Sequence, residues 1–199
     1  MIKYNTPQEL FTAICNKIRS RTNSNELINH QDIPNEIDNL VDSDTIKEYN
    51  ELLSLIIDNN ITEINTDKIK KIYMSFESTP LAKVNLPECT SIGGYAFNSC
   101  NNLTTVNLPE CTSIIGHAFD YCTNLATLIL SSNQIANIPD SIDYVIFYNT
   151  RIANGTGYIY VPDNLVDSYK TATNWSTYAN QFKPLSELPS NLKEEYGYE

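Results

Sequence analysis

The stretch LAKVNLPECTSIGGYAFNSCNN, residues 81–102, runs straight into LTTVNLPECTSIIGHAFDYCTN, residues 103–124, and then into LATLIL from Leu125. The three starts lie 22 residues apart. A fixed period of that length marks a stacked array, in which each unit buries its apolar side against the next.

Each unit follows the frame LxxVxLPECTSIxGxAFxxCxx. Alternation places Leu103, Val106 and Leu108 inward from a short strand and Thr105 and Asn107 outward. Pro109 closes the strand because it has no N–H for a ladder. The remainder of the unit is expected to turn back through a short irregular or helical arc. Its apolar members, Ile114, Ala118, Phe119 and Cys122, return to the core. Stacking at strand spacing, about 4.8 Å, predicts side-chain ladders. Val84, Val106 and Leu128 form one, and Phe97 and Phe119 another.

The chain has five cysteines, and Cys89, Cys100, Cys111 and Cys122 recur every eleven residues. With no CxxC pair, zinc-ribbon and thioredoxin-type motifs are excluded. Two cysteine positions per unit, copied by the repeat, account for the spacing. Cys89 is expected to stack on Cys111 and Cys100 on Cys122 as small buried thiols. Such neighbours lie within bridging reach, but a reducing cytosolic origin argues against a bond.

Degraded units flank the clean ones. Upstream, Ile61 and Ile64 take strand positions, and Ile72 and Phe76 take arc positions. Downstream, the pattern breaks after LATLIL, and GTGYIYVP supplies a last strand from Tyr158 to Val161. The array is thus four to five turns long, and each open end needs a cap.

Three helices are expected before the array. The first opens on Thr6, Pro7 and Glu9 and carries Leu10, Phe11, Ile14 and Ile18 on one face. The second presents Ile37, Leu40 and Val41. The third, from Thr45 to Asp58, has the stripe Ile46, Tyr49, Leu52, Leu53, Ile56 and Ile57. After Pro162, Leu165, Val166, Tyr169, Trp175, Tyr178 and Phe182 suit two short helices over the last strand. Trp175 reads as a cap residue or as a ligand platform. The final SELPSNLKEEYGYE is polar and is expected to be loose.

A net charge of −11 disfavours nucleic acid as a partner. The N-terminus shows no signal-peptide pattern, and no run of about 18 apolar residues suggests a membrane span. The sequence therefore predicts synthesis in the cytosol and no membrane insertion. His117 occupies the position of Tyr95 one unit earlier, so it reads as an arc residue rather than a base. Glu110 with Asp120, and Glu88 with Glu110, are weak candidates for a carboxylate pair and a cation site. No catalytic residue, metal site or cofactor is expected. The remaining candidate is the outward strand face: Lys83, Asn85, Thr105, Asn107, Thr127 and Ile129. It reads equally as a binding surface for a glycan or protein and as plain solvent-facing strand.

The repeated phrase LPECTSIGGYAF and LPECTSIIGHAF, with Ile115 in place of a glycine, resembles the BspA-like leucine-rich repeats of bacteria. The stretch GTGYIYVPDNLVDSYKTATNWSTYANQFKPLSEL resembles the terminal cap of that group. The resemblance implies an α+β chain: a short leucine-rich-repeat solenoid with a helical N-terminal region and a helical C-terminal cap. The parts are residues 1–42 for attachment or self-association, 43–60 as capping helix, 61–161 as solenoid, 162–188 as cap and 189–199 as tail. It also implies a non-enzymatic surface adhesion or interaction protein. The N-terminal PQELFTAICNKIRSRTNSNELINHQDIPNEIDNL resembles a segment of prophage and tailed-phage virion proteins. That implies a virion component facing a host surface, with a bacterial cell-surface adhesin as the alternative.

Overall fold

The computed structural model describes residues 60–67, 69–72, 76–139 and 145–199. The chain divides into two units, Met1–Asn60 and Ile61–Glu199. The three helices expected over residues 6–58 lie outside the described residues.

The second unit is built on a six-stranded, all-parallel sheet. Its strands are β1 (Glu63–Asn65), β3 (Lys83–Asn85), β5 (Thr105–Asn107), β7 (Thr127–Ile129), β8 (Tyr158–Val161) and β9 (Phe182–Pro184), in that spatial order. A narrower sheet joins β2 (Lys71–Ile72), β4 (Ser91–Ile92) and β6 (Ser113–Ile114). The second sheet corrects the expected arc. The Ser-Ile pair of each TSI is a two-residue strand rather than a helical or irregular turn, because Ser91–Ile92 meets the identical Ser113–Ile114 one turn away.

The 22-residue period is kept as register. Ile64, Val84, Val106, Leu128, Ile159 and Phe182 face one another across successive strands. The first five are almost or wholly buried. A second ladder runs through the arcs. Phe76, Phe97, Phe119 and Phe147 stack with centroids 5.5, 5.6 and 5.7 Å apart, in the offset geometry that aromatic rings prefer. Phe147 follows Phe119 by 28 residues rather than 22, so the broken unit returns to the pattern after an insertion.

The described cysteines are free, buried thiols. Each donates to a carbonyl: Cys89 to Ser91, Cys111 to Ser113, Cys100 to Phe76 and Cys122 to Phe97, at 2.9–3.4 Å. Burial pushes Cys89 up to about 11 and Cys111 up to about 12. Cys122 is pushed well above the usual thiol range, first by its hydrogen bond with Cys100 and then by burial. Cys89, Cys111 and Cys122 are thus held protonated and out of solvent, which makes poor nucleophiles and metal ligands, and all four buried side chains fill the ladder.

The C-terminal end departs from expectation. Within the cap, the segment 163–182 is expected as two short helices. It forms a 3-10 turn over Asp163–Leu165, helix α1 (Val166–Thr171) and a kinked 3-10 segment over Ser176–Gln181, and then enters the sixth strand. Pro184 ends β9, the edge strand of the sheet, where a missing N–H costs least. Trp175 is 1% exposed, and its Nε1–H donates to Ala136 O at 2.6 Å. The Tyr169 hydroxyl accepts from Ala136 N at 2.9 Å. Trp175 is therefore a cap residue and not a ligand platform.

Gly157, just before β8, has backbone on two sides. A Cβ there would lie 2.9 Å from both Ala126 O and Ile152 N. Neither is a flexible side-chain end, so relief requires the β7–β8 approach to widen. Gly157→Ala is expected to cost about 1–3 kcal/mol, measured by urea unfolding of the full chain. A change within about 0.5 kcal/mol would show that the strand approach is slack.

Candidate interaction surface

Alternation along β1 to β9 throws two rows of side chains away from the core. One holds Glu63, Lys83, Thr105, Thr127 and Tyr158. The other holds Asn65, Asn85, Asn107, Ile129, Tyr160 and Lys183. The six candidate residues are thus brought together on one face. The asparagines form a hydrogen-bonded ladder: Asn107 Nδ2 donates to Asn85 Oδ1 at 2.8 Å, and Asn85 Nδ2 to Asn65 Oδ1 at 2.9 Å.

The six candidate positions are not open to solvent, although Glu63, Asn65 and Tyr158 at the margins of the face are exposed. Lys83, Asn85 and Thr127 are half-buried, while Thr105, Asn107 and Ile129 are buried. The cover is the C-terminal tail. Residues 189–199 were expected to be loose, but they contain helix α2 (Ser190–Tyr196). Leu188 and Leu192 form a second apolar core with Ile129 and Tyr160, and Leu185, Tyr196 and Tyr198 pack on it. Leu192 and Tyr196 are four residues apart in α2 and share one helical face, while Leu188 packs from the turn just before the helix.

Polar contacts fix the ends of this strap. Lys83 Nζ lies 2.8 and 3.0 Å from the two carboxylate oxygens of Glu195. That bond, and the charges of Glu195 and Glu63, hold the Lys83 ammonium above the usual lysine range. Lys183 pairs with Glu187 at 3.5 Å and sits 4.3 Å over the Tyr158 ring. Gly197 adopts the left-handed conformation, with φ 75°, that ends a helix and reverses the chain. The reversal carries Tyr198 back to the sheet. Its hydroxyl donates to Asn107 Oδ1 at 2.8 Å and lies 3.0 Å from Ser131 Oγ.

The arcs present a different surface. Among the described residues the exposed large apolar side chains are Tyr121, Val145, Tyr148 and Tyr158, and the first three lie on two adjacent arcs. Tyr121 and Tyr148 meet edge to face at 5.3 Å. Beside them His117 stacks on Tyr95 at 4.9 Å, so the repeat equivalence of the two residues is physical contact. Both have positive φ, as the tight arc demands. Asp120 ties the group together: one carboxylate oxygen accepts from Tyr148 N at 2.8 Å and the other lies 2.7 Å from His117 Nδ1. It is 4% exposed. A buried carboxylate with both oxygens engaged holds two arcs in register. The oxygens of Asp120 are thus engaged by His117 and Tyr148 rather than by Glu110, which is exposed, and Glu88, the other half of the weak cation site with Glu110, pairs with Lys70 at 3.7 Å.

Among the described residues there is no cluster of three or more His, Cys, Asp or Glu able to hold a metal ion, and no helix long and apolar enough to cross a membrane. No curated protein matches the chain. A family model described as BspA type leucine rich repeat region matches residues 70–165, in six copies. The matched segment contains β2 to β8 with both cysteine ladders and all four members of the phenylalanine ladder. Residues 70–165 are thus similar to BspA-type leucine-rich-repeat regions.

Proposed function

We propose that the chain is a non-enzymatic interaction protein whose repeat unit binds a glycan or protein on a cell surface through the aromatic row of its arcs. Residues 1–42 attach it to a virion or to copies of itself. The observation that carries the reading is the exposure of Tyr121 and Tyr148, 46% and 53%, next to one another on a rigid ladder. A tyrosine ring offers an apolar face and a hydroxyl at little entropic cost, which suits the mixed surface of a sugar or a loop. The outward strand residues do not serve this reading directly, because the chain's own tail occupies them.

The resemblance of the N-terminal segment supports the virion placement. The BspA-type match favours a second reading, a bacterial cell-surface adhesin. Both share the binding row and differ in what residues 1–42 are fixed to.

The test is a glycan array, with intact host cells as a parallel target, comparing the full chain with Tyr121→Ala/Tyr148→Ala. Binding by the native chain is expected to fall at least about tenfold in the double variant. Stability should change little, as surface substitutions usually do. Undiminished binding by the variant would move the site elsewhere, and no binding by either would remove the proposal. Mass spectrometry of purified particles and of cell envelopes assigns the location. Recovery from envelopes alone selects the adhesin reading.

A further inference from the structure

The strap over the strand face has the makings of a detachable part. It supplies no strand to either sheet, since the last one ends at Pro184. Its helix has seven residues, well below the roughly 12–15 that an isolated helix needs in water. Folding of α2 and docking of α2 are therefore one event. Because no sheet pairing runs through residues 185–199, it can leave while every strand keeps its neighbours.

The face under it is shaped and charged for this kind of segment. Ile129 and Tyr160 make an apolar floor where Leu188 and Leu192 land. Lys83 and Lys183 take Glu195 and Glu187. The segment 185–199 carries four glutamates against one lysine, so in a chain of net charge −11 these two lysines provide the matching field. The asparagine ladder ends on the Tyr198 hydroxyl.

We infer that the strand face is a second, latent interaction surface that accepts an acidic segment with one leucine ahead of a short amphipathic helix and a leucine and a tyrosine one turn apart on it, and that residues 185–199 are a displaceable latch filling it in cis. A partner presenting the same pattern competes with the latch. This surface is distinct from the aromatic row, so its fate does not depend on glycan or protein binding at the arcs.

The probe is a fluorescein-labelled synthetic peptide of residues 185–199. It is offered to the native full chain and to the full-length variant Leu188→Ser/Leu192→Ser, whose own latch lacks its apolar anchors. Anisotropy is expected to show binding to the variant and binding at least about tenfold weaker to the native chain, whose site is filled. Equal binding to both, or binding to neither while the variant's far-ultraviolet circular dichroism is native, overturns the inference. Hydrogen exchange on the native chain decides the matter even if the variant does not fold. Amides of α2 are expected to exchange at least about tenfold faster than those of β5 and β7. Exchange of α2 in the same cooperative step as the sheet would show an integral part of the core and end the proposal.

Discussion

Phe119→Ala is expected to cost the repeat unit about 3–5 kcal/mol, the range for emptying a buried aromatic site. Phe119 is fully buried and lies between Phe97 and Phe147, so its removal strips a partner from both rings. The gap has little means of closing. Phe97 N is bonded to Ala118 O at 2.8 Å and Phe119 N to Ile146 O at 3.1 Å, which holds the arcs at their spacing. A whole domain is typically stable by about 5–15 kcal/mol, so this one change removes a large share. Urea unfolding followed by circular dichroism measures it. Tyr148→Ala, one residue along from Phe147 but 53% exposed, serves as control and should stay within about 0.5 kcal/mol. A loss below about 1 kcal/mol for Phe119→Ala would mean that the phenylalanine ladder is not what holds the arcs.

The second large effect is expected from Trp175→Ala, again about 3–5 kcal/mol. The indole contacts Phe147, Tyr169 and Phe182, and so touches the end of the phenylalanine ladder, α1 and the last strand at once. Its loss also leaves Ala136 O without the 2.6 Å bond from Nε1. Trp175→Phe separates the two contributions, because it keeps a ring and removes the donor; about 1 kcal/mol is expected for the hydrogen bond alone. In a stacked array each turn leans on its neighbours, so damage at the cap is expected to spread inward from one end. Hydrogen exchange should show β8 and β9 opening in Trp175→Ala at a denaturant concentration where β3 and β5 remain protected. Uniform opening of all strands would show that the array unfolds as one cooperative block.

The repeat was legible because it is written as identity. LPECTSI occurs twice, 22 residues apart, and a parallel ladder needs equivalent residues at equivalent heights. Val84, Val106 and Leu128, the phenylalanines and the cysteine pairs follow from that alone. The degenerate unit from Ile61 was also readable, since Ile64, Ile72 and Phe76 keep the spacing of buried positions. The return of Phe147 to the ladder was not. An insertion hides the period, and only the stack shows which phenylalanine fills the next place. Strand β9 was hidden for a related reason: a three-residue segment ending in proline has no pattern of its own and becomes a strand by pairing with β8.

The candidate surface divides the same way. The sequence by itself determined which side chains leave the sheet on the side away from the core, because alternation along a strand is a local property of the backbone. Lys83, Asn85, Thr105, Asn107, Thr127 and Ile129 do share that face. What lies over them was decided only in three dimensions. SELPSNLKEEYGYE is polar and carries few apolar groups, so its composition reads as a loose tail. Its helix is too short to form without the sheet beneath it. Leu188 and Leu192 gain their burial from Ile129 and Tyr160, which lie far back along the chain. Helix and cover therefore exist through tertiary contact, and no local reading of residues 185–199 contains them.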